Sequence, residues 1–171
     1  METWVVIGVS GQFGQFMAEF LLKNQKKVIG ISRKKPDQKL LNKKNFFYLE
    51  GDATKRLSPK NLKAVQEANA VLFSVPIAIT DLCIRKVAPH LRSGQLICDV
   101  TSVKIIPLTA MLQYSADGVE VLGMHPMFSP TLSLENKNVV LVPERIKTER
   151  LKEVVEMFEK EKAQVSIMTA K

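Results

Sequence analysis

The stretch "TWVVIGV" at residues 3–9 runs directly into "SGQFGQFMAEFLLKN", and no other feature limits the fold of this chain as strongly. The first segment is apolar on both faces, as a strand buried within a parallel sheet must be. The second carries Phe13, Met17, Phe20 and Leu21 at helical spacing. Between them, Gly8, Gly11 and Gly14 form a G-x-x-G-x-x-G turn. In such a strand-to-helix turn, one glycine permits the tight bend. A second lets backbone N–H groups approach a pyrophosphate, and a third lets the helix pack against the strand. The helix N-terminus adds partial positive charge. The more usual G-x-G-x-x-G spacing has glycine where Val9 stands. Taken alone, the spacing fits a purely structural turn as well as a dinucleotide site. Its place after an N-terminal strand and at the start of a helix favours the dinucleotide, with Ser10, Gln12 and Phe13 completing the turn.

Short apolar runs and helical patterns then alternate. Strands are expected at 26–32, 45–52, 69–76, 94–100, 118–124, 138–143 and 163–169. Ser58-Pro59 opens a helix as N-cap and first-turn proline. Residues 77–88 and "IIPLTAMLQY" are helical, and Leu151, Val154, Val155 and Phe158 line one face of a late helix. Alternation of this kind implies βαβ units and right-handed crossovers. The expected fold is α/β: a Rossmann-type, doubly wound, mainly parallel sheet with helices on both faces. The 171 residues form a single domain, 1–171. Ligands of such sheets bind beyond the carboxyl ends of the strands.

The second strand selects the dinucleotide. An NAD site usually carries Asp or Glu there, to accept from the ribose 2′-hydroxyl. Here the strand ends in Ser32, Arg33 and Lys34, a hydroxyl and two cations suited to a 2′-phosphate. The expected cofactor is therefore NADP. Asp52, after the third strand, can accept from an adenine amino group or cap a turn, and both remain open. Although the net charge is +8, the lysines are spread along the chain without interleaved aromatics, which argues against a nucleic-acid partner. No apolar run is long enough to span a membrane. Cys83 and Cys98 lack metal-ligand spacing and are expected to be buried thiols in a reducing cytoplasm. No metal site is expected.

Three later strand ends converge on one crevice. Ser74, Val75 and Pro76 end the fourth strand, where a nicotinamide would lie. Thr101, Ser102 and Lys104 follow the fifth. His125, one of only two histidines, is placed just beyond the sixth, in "VLGMHPMFSP". His90 is expected to be no more than a helix-end residue.

In "GVSGQFGQF", "SVPIAIT", "DVTSVKIIPLTAML" and "VLGMHPMFSP", taken in order, the chain resembles the prephenate dehydrogenases of tyrosine biosynthesis. It is most similar to the bacterial type often fused to chorismate mutase. The resemblance covers nearly the whole chain. It implies oxidative decarboxylation of prephenate, or of arogenate in some members. His125 then takes the proton of the ring C4 hydroxyl as hydride leaves for the nicotinamide, and Ser102 orients the histidine or the substrate hydroxyl. The family continues into a helical C-terminal domain that dimerises, closes the crevice and supplies an arginine for the substrate carboxylate. This chain stops at "IMTAK", so a homodimer or a partner carrying that domain is expected. Two further departures are Ser32, where many members are acidic, and Ser129, in HPMFSP where related motifs read HPMFGP. Two other functions are compatible with the pattern. One is a stand-alone NADP-binding module or sensor. The other is a carbonyl or imine reductase of the wider 6-phosphogluconate dehydrogenase-like group.

Overall fold

The computed structural model describes residues 1–130 and 133–170. Its strands are β1 (Thr3–Ile7), β2 (Lys27–Ser32), β3 (Phe46–Glu50), β4 (Ala70–Phe73), β5 (Leu96–Asp99), β6 (Glu120–Pro126), β7 (Asn138–Arg145) and β8 (Gln164–Ile167). The helices are α1 (Gln12–Lys23), α2 (Gln38–Leu41), α3 (Pro59–Glu67), α4 (Ile77–Val87), α5 (Ile105–Tyr114) and α6 (Thr148–Lys160). They build one sheet in the order β3-β2-β1-β4-β5-β6-β7-β8. Strands β1 to β6 run parallel. β7 turns back antiparallel on β6, and β8 pairs parallel with β7. Strand order reverses on either side of β1 and β4, which makes the topological switch point of an open α/β sheet.

Period-two alternation distributes the strand side chains over two cores. Trp4 and Val6 join Met17, Phe20 and Leu21 of α1 and Phe158 of α6 on one face. The Phe20 and Phe158 rings stack there at 4.6 Å. Val5 and Ile7 join Val65 of α3, Ile84 of α4 and Met111 of α5 on the other. Both faces of the sheet are therefore covered, and the central strands are apolar throughout for that reason. Cys83 and Cys98 are buried free thiols within this packing. No helix among the described residues is long and apolar enough to cross a membrane.

The expected doubly wound sheet is found, with differences at particular places. β6 does not stop at Met124 but continues through His125 and Pro126, because β7 provides an antiparallel partner as far as those residues (His125 opposite Val140, Pro126 opposite Val139). The histidine placed beyond the strand by its sequence is thus within it. α2 has no counterpart in the sequence pattern, and the helix expected over 77–88 passes into a 3-10 turn at Ala88–His90. His90 ends that turn, exposed. Ser58 caps α3 as its sequence suggests, accepting the Asn61 N–H at 3.3 Å.

Candidate active site

The glycine turn joins β1 to α1, and each glycine answers a different demand. Gly8 has φ 87°, and a Cβ there would collide with the Ser74 carbonyl oxygen at the end of β4. Its N–H instead donates to the Ile31 carbonyl at 2.8 Å, tying the turn to β2. A Cβ on Gly14 would strike the Gly8 carbonyl oxygen, so this glycine allows α1 to lie against the turn. Gly11 differs. A Cβ there would meet only the Gly8 oxygen, at 3.4 Å. Gly11 is the N-cap of α1, and no side chain caps the helix. The first N–H groups of α1 are consequently left for a ligand, the usual arrangement for binding an anion. Val9, which stands where many such turns have glycine, is buried. It fills the space above Gly30, where a Cβ would come within 2.6 Å of its Cγ1. Gly30 thereby accommodates the departure at Val9.

A groove of about 310 Å³ opens at these strand ends. Gly8, Ser10 and Gly11 line it from the turn, Ser32, Arg33 and Lys34 from the end of β2, Asp52 from beyond β3, and Ser74, Val75 and Pro76 from beyond β4. The Ser32 hydroxyl donates to the Lys34 carbonyl at 2.7 Å, closing a tight turn. Arg33 and Lys34 project from that turn, exposed. Among the described residues neither forms an ion pair. Asp52 caps its own turn: Oδ1 accepts the Thr54 N–H at 3.0 Å and the Thr54 hydroxyl at 2.6 Å. Those bonds, aided by Lys55 and Arg33, hold its carboxyl below the usual range. The Cys83 thiol also lines the groove, where burial pushes it up to about 11. It is therefore unreactive at neutral pH.

A second recess of about 270 Å³ lies beside the groove, and Phe13 and Thr101 line it together with Gly11, Ser74, Val75 and Pro76. Gln12 opens elsewhere, onto a shallow depression shared with Phe16 and Ser129. Gly14 lines neither space. Twelve of the sixteen residues singled out by the sequence thus meet along one continuous surface, counting ten in the groove plus Phe13 and Thr101 in the recess.

His125 is half-buried near the end of β6. Burial, and then the positive charge of Lys104, hold its imidazole below the usual range, while Asp99 acts the other way. Ser102 is exposed on the turn after β5. Among the described residues it makes no hydrogen bond with His125. Two features of this region were not assigned by the sequence. Asp99, fully buried at the end of β5, pairs with Lys104 at 2.6 Å. Phe128, just past β6, packs on Phe13 and Phe16 of α1 at 6.1 and 5.6 Å between ring centroids. The available signals were the "DVTSVK" charges flanking a strand end and the aromatic in "HPMF". The site combines a cationic groove with an uncapped helix start, while His125 and Ser102 line neither the groove nor the recess. That arrangement suits holding a phosphorylated dinucleotide.

Residues 17–167 match the family described as prephenate dehydrogenase, nucleotide-binding domain. The chain is 34% identical over 166 residues to a probable arogenate/prephenate dehydrogenase of Methanocaldococcus jannaschii, covering 95% of this chain and 35% of that one. It therefore spans about a third of that curated relative. Two solved structures share the fold. Synechocystis arogenate dehydrogenase superposes with a TM-score of 0.75 at 22% identity, over 98% of this chain and 60% of the other. Prephenate dehydrogenase from A. aeolicus, in complex with hydroxyphenyl propionate and NAD+, superposes with a TM-score of 0.76 at 20% identity, over 99% of this chain and 60% of the other.

Proposed function

Because this chain belongs to the prephenate dehydrogenase family through its nucleotide-binding domain, we propose that it is the cofactor-binding, base-carrying part of an enzyme that oxidatively decarboxylates prephenate or arogenate in tyrosine biosynthesis, with NADP as oxidant. The observation that carries this reading is the continuity of the site: Gly11 lines both the groove and the recess, and the recess reaches Thr101 beyond β5. The groove residues fit a dinucleotide. The Gly11 turn and the start of α1 hold the pyrophosphate, Arg33 and Lys34 a 2′-phosphate, and Ser74, Val75, Pro76 and Thr101 flank the nicotinamide end. When bound, the oxidised nicotinamide supplies a hydride acceptor. His125 takes the proton of the substrate C4 hydroxyl while the C4–H bond breaks and its hydride goes to that acceptor, which leaves a carbonyl at C4. The C1–carboxylate bond then breaks, carbon dioxide leaves, and the electron pair of that bond passes into the ring, making it aromatic as the C4 oxygen takes up a proton. The substrate carboxylate is assigned to a helical unit of the family's architecture, in the same chain or in a partner such as a second copy.

The preference for NADP follows from charge. No carboxylate ends β2, and two exposed cations project from the Ser32 turn. Asp52, which also lines the groove, has its Oδ1 engaged by Thr54. NADP(H) should bind at least about tenfold more tightly than NAD(H), or roughly 1.4 kcal/mol. Arg33→Ala should remove most of the difference. Calorimetric titration of both cofactors measures this, and equal affinities in the parent would refute the assignment. Turnover of prephenate and arogenate by the protein with its helical unit present tests the reaction. Binding of NADP with turnover of neither substrate would favour a binding module.

A further inference from the structure

The buried pair Asp99–Lys104 takes no part in the steps above, yet it lies directly behind the proposed base. Asp99 Oδ2 receives the Thr101 N–H at 3.0 Å, the Thr101 hydroxyl, and Lys104 Nζ at 2.6 Å. The same ammonium donates to the Met124 carbonyl at 2.8 Å. That carbonyl belongs to the peptide leading into His125. The lysine reaches it across Gly123, where a Cβ would approach Lys104 Cδ to 2.9 Å. Glycine at this point of β6 thus leaves the passage through which the side chain runs. Burial pushes the Asp99 carboxyl up and the Lys104 ammonium down. Their contact and the Thr101 donors act against this.

From this geometry we propose that Lys104 is a positioning residue for His125: its ammonium, held by Asp99, anchors the peptide that carries the imidazole. Among the described residues, two charged groups act on that ring, Lys104 and Asp99. Cys98, beside Asp99, stays a neutral thiol because burial pushes it well up. A fixed ammonium disfavours a second positive charge nearby, so protonation of His125 is deferred to lower pH. The catalytic consequence rests on His125 being the base. The titration itself does not, since it is a property of the folded chain without cofactor.

The chain has two histidines, and the exposed His90 serves as an internal reference. NMR titration of the two imidazoles reads His125 directly. In Lys104→Met the His125 midpoint should move to higher pH while that of His90 stays in place. In Asp99→Asn/Lys104→Met, which leaves no unpaired buried charge if the single variant fails to fold, the midpoint should also rise, but by less. A His125 midpoint that is unchanged or lowered in whichever variant folds would overturn the proposal. An upward shift in a protein that turns over neither prephenate nor arogenate would refute the proposed reaction and leave this role of Lys104 intact.

Discussion

Replacing Gly11 with valine is expected to lower dinucleotide affinity by about a hundredfold while the protein stays folded. Hydrogen bonds to a charged group contribute roughly 1.5–3 kcal/mol each, so displacing a pyrophosphate from one or two backbone donors accounts for that factor. Folding should survive because Gly11 has φ −74° and ψ 158°, which valine adopts readily, and because an added Cβ meets only one oxygen at 3.4 Å. Valine is a poorer N-cap than glycine. That costs on the order of 1 kcal/mol, against the 5–15 kcal/mol typical of a domain. Gly14→Ala should behave in the opposite way. Its Cβ would be driven into the backbone of Gly8 and Val9, so it should lose roughly 1–3 kcal/mol of stability or more through overpacking. Calorimetry and denaturant unfolding separate the two effects. Parental affinity in Gly11→Val would mean that the cofactor does not lie on this turn.

The two glycines also illustrate what was legible in the sequence. G-x-x-G-x-x-G located the turn, since three glycines between a strand and a helix can hardly be arranged otherwise. The match of Val9 to Gly30 was not legible, because Val9 lies in the turn after β1 and Gly30 in β2, and neither pattern refers to the other. The alternation of apolar runs identified the layers, and both faces of the sheet proved covered. It placed the end of β6 too early. The two further residues of β6 are held by pairing with β7, and such long-range pairing leaves no trace in the local sequence. Ser32, Arg33 and Lys34 could be read as cationic from their types. That the Ser32 hydroxyl is spent on shaping the turn depends on a contact two residues away. Asp99 and Lys104 were visible as charges beside a strand end. Only folding shows that both are buried and that Gly123 makes room for one of them.

The location of His125 leads to the other large expected effect. Its backbone is fixed in β6 opposite Val140, with Pro126 opposite Val139. Phe128, beyond them, rests on Phe13 and Phe16 of the helix that begins at the glycine turn. The segment that carries His125 is thus packed against the helix that follows the glycine turn. His125→Asn keeps a polar side chain of similar reach but removes the proton acceptor. Dinucleotide affinity should stay near the parental value, and kcat with prephenate should fall by about a hundredfold or more, the scale expected for losing a positioned base. This corresponds to roughly 2.7 kcal/mol of transition-state stabilisation. The loss should appear mainly in kcat, because proton removal develops only in the transition state. The pH dependence has a definite sign. In the proposed reaction the neutral imidazole is the active form, and burial with Lys104 lowers its pKa. Activity should therefore persist below the ordinary histidine range and decline only as pH falls through that lowered value. Ser102→Ala should cost less than the histidine change. Ser102 is exposed and makes no bond to His125 among the described residues, so a role in orienting the substrate hydroxyl is expected to show as a raised KM as well as a lowered kcat. Steady-state kinetics of both variants, with the helical unit present, measure these effects. His125→Asn retaining parental kcat with prephenate would defeat the assignment of the base.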